Sequence, residues 1–143
     1  MNKSVKEYLE EAKTVAVVGI SDRAYRTSNH IADYLQQNGY KIVPINPNLE
    51  GEIMGETIYN SIEDIPDSIS IDVVNIFRNK EYTELMVDEV IRWSNKTGQR
   101  PLIWTQLDVS STRAEQKAKD AGLPYVRNQC IMVEHGRYGV GIK

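Results

Sequence analysis

Short apolar runs alternate with amphipathic segments along this chain. In the amphipathic segments, apolar residues recur at helical spacing, as in Ile31, Ala32 and Leu35, which is typical of helices packed against a sheet. The apolar runs contain few polar positions, which favours strands buried on both faces of a parallel sheet. The sequence therefore predicts an α/β fold with a Rossmann-like, doubly wound parallel sheet and helices on both faces. The five predicted strands span residues 14–18, 40–45, 71–77, 101–104 and 124–126.

Capping residues set the limits of the predicted helices. Ser4 and Glu7 have the spacing of a capping box. Ser28 is predicted to cap the second helix, and Asn38-Gly39 to end it in a left-handed conformation. Ser110-Ser111-Thr112 with Glu115 predicts a further capped start. The predicted helices span residues 4–12, 28–38, 82–93 and 112–121, with a long loop over 48–59, a helical turn over 61–64 and an irregular tail over 128–143.

Length, charge and cysteine content indicate one domain over residues 1–143 with its own core. The formal net charge of −3 creates no broad positive field for nucleic acid or an anionic membrane. The charged N-terminus lacks the apolar segment of a signal peptide. The single cysteine, Cys130, excludes an internal disulfide and a CxxC-type metal site. We expect a cytoplasmic protein with a small-molecule ligand, and the sequence leaves a protein partner or homo-oligomer open.

The first strand ends in a loop that carries candidate binding residues. Gly19, Ser21 and Arg26 lie between this strand and the second helix. Such a loop favours an anion, because backbone N–H groups at a helix N-terminus lack partners within the helix. The sequence therefore predicts a ligand with phosphate groups, held locally by this loop. The alternative is that Arg26 is a solvated loop residue.

The end of the second strand argues against a nicotinamide dinucleotide. The first loop contains Gly19 but lacks the GxGxxG spacing that lets a pyrophosphate lie against glycine backbone. An NAD site also has Asp or Glu at the end of the second strand to hold the ribose hydroxyls. This chain has Asn46 before Pro47, although the dipeptide also serves as a plain strand-ending turn. The pattern disfavours NAD and permits a 3′-phosphorylated adenosine.

A series of motifs, in order and suitably spaced from about residue 14 to 137, carries a family resemblance. With them the sequence closely resembles the small single-domain CoA-binding proteins, which are stand-alone relatives of the CoA-binding Rossmann domain in the succinyl-CoA synthetase α subunit. The motifs are Gly19-Ile20-Ser21, Arg26-Thr27-Ser28, Gly39-Tyr40, Pro44-Ile45-Asn46-Pro47, Gly51, Gly55, Ser61 with Asp64-Ile65-Pro66, Asp72-Val73-Val74, Phe77-Arg78, Trp104-Thr105-Gln106-Leu107, and Cys130 with Glu134-His135.

The resemblance implies a site for coenzyme A or a short acyl-CoA. It implies that the first loop and the following helix hold the phosphates, that the end of the second strand lies beside the adenosine, and that the next two strand ends follow the diphosphate and pantetheine. The implied residues are, in that order, Gly19, Ile20, Ser21, Arg26 and Ser28; Asn46 and Pro47; Phe77 and Arg78; and Trp104 and Gln106.

The sequence departs from the family pattern at three places. Thr27 stands where proline is common, Asp108 stands where glycine is common, and the turn over residues 94–101 is longer. The first departure affects the phosphate loop. The second introduces a carboxylate near the expected mouth of the site.

Two other functions stay open at the level of sequence. One is a small NAD(P)-dependent oxidoreductase or redox sensor on the same sheet. The other is an enzyme that acts on an acyl thioester through Cys130, for which His135 would have to supply a base within reach. Cys130 and Trp104 are equally compatible with core packing. Since no pair of carboxylates falls at a strand end, we expect binding without catalysis.

Overall fold

The computed structural model describes residues 3–143, which form one α/β domain around a five-stranded parallel sheet. The strand order is β2-β1-β5-β6-β7, so the sheet is built outward in both directions from β1. This confirms the predicted doubly wound, Rossmann-like fold. The strands of the main sheet are β1 (Thr14–Val18), β2 (Lys41–Ile45), β5 (Val73–Ile76), β6 (Leu102–Thr105) and β7 (Tyr125–Val126). A short antiparallel pair, β3 (Glu52–Ile53) and β4 (Glu56–Thr57), lies in the long loop after β2.

In residues 3–143, five helices cover the two faces of the sheet. They are α1 (Val5–Glu11), α2 (Thr27–Gln37), α3 (Lys80–Thr97), α4 (Thr112–Asp120) and α5 (Ile131–Arg137). One face packs against α1, α2 and α5, and the other packs against α3, α4 and a 3₁₀ turn at Ile62–Asp64. Within residues 3–143, no helix is long and apolar enough to span a lipid bilayer.

Caps and glycines fix several helix ends as the sequence predicts. Ser4 and Glu7 form the expected capping box, and the Ser111 hydroxyl accepts a hydrogen bond from the first turn of α4. Gly39 has a φ of +92° directly after α2. The α3 helix is longer than predicted and ends at Gly98, which is left-handed with a φ of +79°.

Two predictions of local structure are wrong. Ser28 does not cap the second helix, because α2 begins at Thr27 and Arg26 holds the N-cap position. The tail is not irregular throughout, because α5 occupies residues 131–137. This helix is seven residues long, contains Gly136 and is preceded by Cys130 rather than a capping hydroxyl, so its local sequence signal is weak. Packing of Ile131 in the core stabilises it instead.

Candidate functional site

Three adjoining clefts lie at the end of the sheet where the parallel strands finish. They open around the ends of β1, β2 and β5, which is where the direction of strand order changes and where α/β sheets bind ligands. Cleft 1 has a volume of about 580 Å³ and is lined by Gly19, Ser21, Asp22, Tyr25, Arg26, Thr27, Ser28, Asn46, Leu49 and Phe77.

The first loop of cleft 1 is held in place by hydrogen bonds from side chains. Gly19 adopts a φ of +87°, which few other residues tolerate. The backbone N–H of Ser21 donates to the Ser28 hydroxyl oxygen over 2.9 Å. The backbone carbonyl of Ser21 accepts from the side-chain amide of Asn29 over 2.8 Å. The loop is therefore ordered by the chain itself.

The N-terminus of α2 borders cleft 1. Arg26 is the N-cap, and within the described part of the chain no side chain caps this helix. The N–H groups of its first turn therefore lack the acceptor that a capping serine or aspartate supplies. Thr27 and Ser28 in this turn line the cleft, as does the exposed Arg26. Asp22 also lines it and opposes the positive charge on that side.

Asn46, at the end of β2, has both ends of its side chain engaged within the protein. Its amide nitrogen donates to the carbonyl oxygen of Ile20 over 2.8 Å. Its carbonyl oxygen accepts from the backbone N–H of Asn48 over 2.8 Å. Because nitrogen only donates and oxygen only accepts, these two partners fix the orientation of the amide. Asn46 thus ties the end of β2 to the first loop.

Cleft 2 lies on the other face of the sheet and is largely apolar. It has a volume of about 310 Å³ and is enclosed between the ends of β1 and β2, the 3₁₀ turn and α3. The Ser61 hydroxyl donates to a Glu89 carboxylate oxygen over 2.5 Å, which provides polar groups on one wall. The cleft is lined by Val18, Ile45, Pro47, Asn60, Ser61, Ile62, Arg78, Met86, Glu89 and Val90.

Arg78 lies where the clefts meet. It lines cleft 2, and it also lines cleft 3, a space of about 280 Å³ that shares Gly19, Asn46 and Phe77 with cleft 1. Its guanidinium carbon is 4.9 Å from the centre of the Tyr82 ring, a cation–π contact that restrains the side chain. A cation is therefore positioned between the polar cleft and the apolar cleft.

The structure brings together eight of the eleven residues that the sequence singled out. Gly19, Ser21, Arg26, Ser28, Asn46 and Phe77 line cleft 1, while Pro47 and Arg78 line cleft 2. The other three, Ile20, Trp104 and Gln106, are almost completely buried.

Register explains why Trp104 is separated from the clefts. In the paired strands it lies level with Asn75, and Asn75 lies level with Val17. That level is two residues short of Gly19 and Phe77, so Trp104 packs in the core, where its indole N–H donates to the Gln129 carbonyl over 2.8 Å. We therefore leave Trp104 out of the site proposed below.

Gln106 is also engaged within the protein. Its carbonyl oxygen accepts from the side-chain amide of Asn75 over 3.1 Å and from the backbone N–H of Ile131 over 3.0 Å. These bonds tie the end of β6 to the start of α5. Ile20 packs in the core on the face of the sheet that α1, α2 and α5 cover. Neither residue enters the site proposed below.

Thr27 and Asp108, two of the positions at which the sequence departs from the family pattern, have different surroundings. Thr27 lines cleft 1, at the first position of α2. Asp108 has a φ of +64°, which accounts for the preference for glycine at this position. Its backbone N–H donates to the Asn128 side-chain oxygen over 2.7 Å, which supports the strained turn.

Cys130 and His135 do not form a catalytic pair. Nδ1 of His135 is 2.7 Å from the Tyr34 hydroxyl, and Nε2 is 3.1 Å from the Gly141 carbonyl oxygen. Burial lowers the pKa of His135, and the nearby Lys143 ammonium acts in the same direction. With both ring nitrogens engaged, His135 is not placed to activate the Cys130 thiol. Across residues 3–143, no cluster of His, Cys, Asp or Glu is arranged to hold a metal ion.

Sequence reasoning missed several residues that line the clefts. Tyr25 lines cleft 1 with 74% of its surface exposed, and an exposed aromatic residue in a binding loop is a signal that could have identified it. Leu49 and Met86 carry no such signal, because their positions depend on how the loop after β2 and helix α3 fold against the sheet.

These features define a class, namely Rossmann-like α/β proteins in which a glycine-containing loop and an uncapped helix N-terminus border a cleft at the topological switch point of the sheet. Residues 13–136 match the sequence model of a protein family that is described as the CoA binding domain. The protein belongs to this family, which confirms the resemblance found in the sequence.

Individual relatives agree with this assignment over nearly the full chain. The uncharacterised Bacillus subtilis (strain 168) protein YneT is 34% identical over 131 residues, which cover 92% of this chain and 91% of YneT. The solved structure of cell-free ID.343 from Thermus thermophilus superimposes with a TM-score of 0.86 at 32% identity, covering 96% of this chain and 99% of that one. A hypothetical protein from Pyrococcus horikoshii OT3 has a TM-score of 0.82 at 33% identity, with coverages of 96% and 97%.

Proposed function

We propose that this protein binds coenzyme A or a short acyl-CoA in the three clefts and catalyses no reaction of its own. The observation that carries the proposal is the uncapped N-terminus of α2, which lies beside Arg26 in cleft 1. Membership of the CoA binding domain family supports this ligand over other phosphate-bearing molecules.

Cleft 1 suits the diphosphate. The first-turn N–H groups of α2 supply hydrogen-bond donors, and the helix dipole favours negative charge at this end. Arg26 adds a charge-assisted contact on the solvent side. Asp22 on the same wall disfavours an anion close to it, which directs the phosphates toward Arg26 and the first turn of α2.

Cleft 2 suits the adenine base. A purine presents two apolar faces and a polar edge, and cleft 2 offers apolar surface from Pro47, Ile62 and Met86 together with the polar groups of Ser61 and Glu89. Placing the base here puts the adenosine beside Pro47, as the family resemblance implies. The ribose then lies at the end of β2, between the base in cleft 2 and the diphosphate in cleft 1.

Arg78 suits the 3′-phosphate on the ribose. It borders clefts 2 and 3, between the proposed base and the proposed diphosphate. Stacking on Tyr82 holds the guanidinium without neutralising its charge. The residue at the end of β2 is the neutral Asn46 rather than a carboxylate, so the end of this strand places no negative charge against a phosphate bound at Arg78.

The arrangement supports binding rather than catalysis. The imidazole of His135 is buried, with hydrogen bonds at both nitrogens. The pKa of the His135 side chain is lowered mainly by burial, and its engaged nitrogens do not serve as a base for the Cys130 thiol.

Native mass spectrometry with acetyl-CoA tests both parts of the proposal. The purified protein is incubated with acetyl-CoA, NAD and NADP together, and the masses of the bound and free species are then measured. We expect a 1:1 complex with intact acetyl-CoA and no change in the mass of the protein. A complex with NAD or NADP in preference to acetyl-CoA, release of free CoA, or an acetyl group on Cys130 would contradict the proposal.

A further inference from the structure

Asn46 occupies the position where dinucleotide-binding sheets carry an acidic ribose contact, and it lines clefts 1 and 3. Its amide nitrogen donates to the Ile20 carbonyl and its side-chain oxygen accepts from the Asn48 N–H, each over 2.8 Å. Each end of the amide thus has a partner within the protein. These bonds give the residue a structural role in the first loop.

The peptide group between Ile20 and Ser21 is held from both sides. Its carbonyl oxygen accepts from Asn46 at the end of β2, and its N–H donates to the Ser28 hydroxyl in the first turn of α2. The C=O and N–H of a trans peptide point in opposite directions. The two side chains together therefore fix which end of this peptide dipole faces α2.

The orientation of this peptide matters for an anion at the N-terminus of α2. As the structure stands, the carbonyl of Ile20 points toward β2 and the N–H of Ser21 points toward α2. A reversed peptide would place a carbonyl oxygen on the α2 side, where its partial negative charge would repel a phosphate. Keeping the carbonyl away from cleft 1 preserves the positive potential there.

We infer that Asn46 is a positioning residue, which sets the polarity of the first loop for phosphate by holding the Ile20 carbonyl. The inference rests on the proposed function, since it concerns the same site. It also gives a physical reason for an amide at this position, because a carboxylate would face the Ile20 carbonyl with an oxygen and no hydrogen.

The inference is tested by Asn46→Leu, which removes the donor to the Ile20 carbonyl without adding a charge. We expect CoA to bind roughly 10-fold more weakly than to the wild type, as for an unsatisfied polar contact. Because the role concerns phosphate, inorganic pyrophosphate should lose affinity in this variant, whereas adenosine should bind as it does to the wild type.

Asn38→Leu is the matched control. The Asn38 side-chain amide also donates to a backbone carbonyl, that of Tyr34, over 2.8 Å, but at the opposite end of α2. This substitution removes the same kind of donor. Its CoA dissociation constant should match that of the wild type, which would separate loop polarity from a general effect of destabilisation.

A double-mutant cycle provides a second test, which is decisive if Asn46→Leu does not fold. Asn46→Ala and Ser28→Ala each release one side of the same peptide, so their effects on CoA binding should be less than additive when combined. Strict additivity, unchanged CoA affinity in Asn46→Leu, or an equal loss of affinity for adenosine and for pyrophosphate would overturn the inference. Failure of the wild type to bind CoA would instead overturn the proposed function.

Discussion

The Cδ atom of Arg78 lies 3.1 Å from the point that a Cβ atom on residue 19 would occupy, and Gly19 has a φ of +87°. The glycine at the end of β1 therefore serves two purposes, since it permits the left-handed turn of the first loop and leaves room for the arginine that follows β5. A side chain at position 19 would displace Arg78 from the junction of the clefts.

Gly19→Ala should impair folding and binding together. The left-handed backbone costs roughly 1–2 kcal/mol for a residue with a Cβ atom, and displacement of Arg78 should weaken CoA binding further. Gly51→Ala is the matched control, because Gly51 has the same φ of +87° with no described atom within 4 Å of its Cβ position. It should lose similar stability in urea unfolding but keep wild-type affinity in calorimetry. Equal CoA affinities for the two variants would refute this role of Gly19.

Arg26→Ala should weaken CoA binding without destabilising the fold. Arg26 is exposed, and loss of a charge-assisted phosphate contact costs roughly 1–3 kcal/mol. Titration calorimetry measures the loss, and Arg113→Ala, which removes an exposed arginine paired with Glu84, controls for net charge. An unchanged dissociation constant for Arg26→Ala would remove this residue from the site.

Met86→Trp should close cleft 2. Met86 is a half-buried lining residue of a cleft of only about 310 Å³, so a larger side chain should exclude the adenine. We expect CoA binding to weaken at least ~10-fold, as for loss of a well-packed contact. The affinity for inorganic pyrophosphate, which does not reach cleft 2 in the proposed arrangement, should stay that of the wild type. Wild-type affinity for CoA in this variant would show that the base lies elsewhere.

The free energy of unfolding should fall as the pH is lowered through the range in which His135 takes up a proton. Burial lowers the pKa of His135 from its ordinary 6.5, so the unfolded chain takes up a proton at a higher pH than the folded chain does. This contribution to stability is therefore complete above pH 6.5 and is lost as the pH falls through the lowered pKa.

Urea unfolding at pH 7.5 and pH 5.5 measures this effect. The free energy of unfolding should be lower at pH 5.5 for the wild type, whereas His135→Gln should be less stable overall and nearly independent of pH over this interval. Carboxylates whose pKa is lowered, such as that of Glu63, lose their contribution at more acidic pH. The same pH response in His135→Gln as in the wild type would assign the effect to another group.

The sequence predicts the fold well because its signals are local. The apolar runs, the capping box at Ser4 and the left-handed Gly39 each depend on residues a few positions apart. It fails for α5 because packing rather than local propensity stabilises that helix. The loop glycine and Arg26 could likewise be proposed from their place between the first strand and the second helix, whereas Arg78 is proposed from the family resemblance.

The directions of side chains could not be predicted in the same way. Trp104 and Asn46 each stand at or near a strand end, yet one packs in the core and the other turns back onto the first loop. Strand register decides the first outcome, and the partners offered by the Ile20 carbonyl and the Asn48 N–H decide the second. Neither follows from the residue type alone.

Titration calorimetry of the wild type with CoA, dephospho-CoA and NAD tests the central claim most directly. We predict that CoA binds most tightly and dephospho-CoA more weakly, because the latter lacks the phosphate proposed to pair with Arg78, and that NAD binds more weakly than CoA. Tighter binding of NAD than of CoA, or no heat of binding with CoA, would contradict the account.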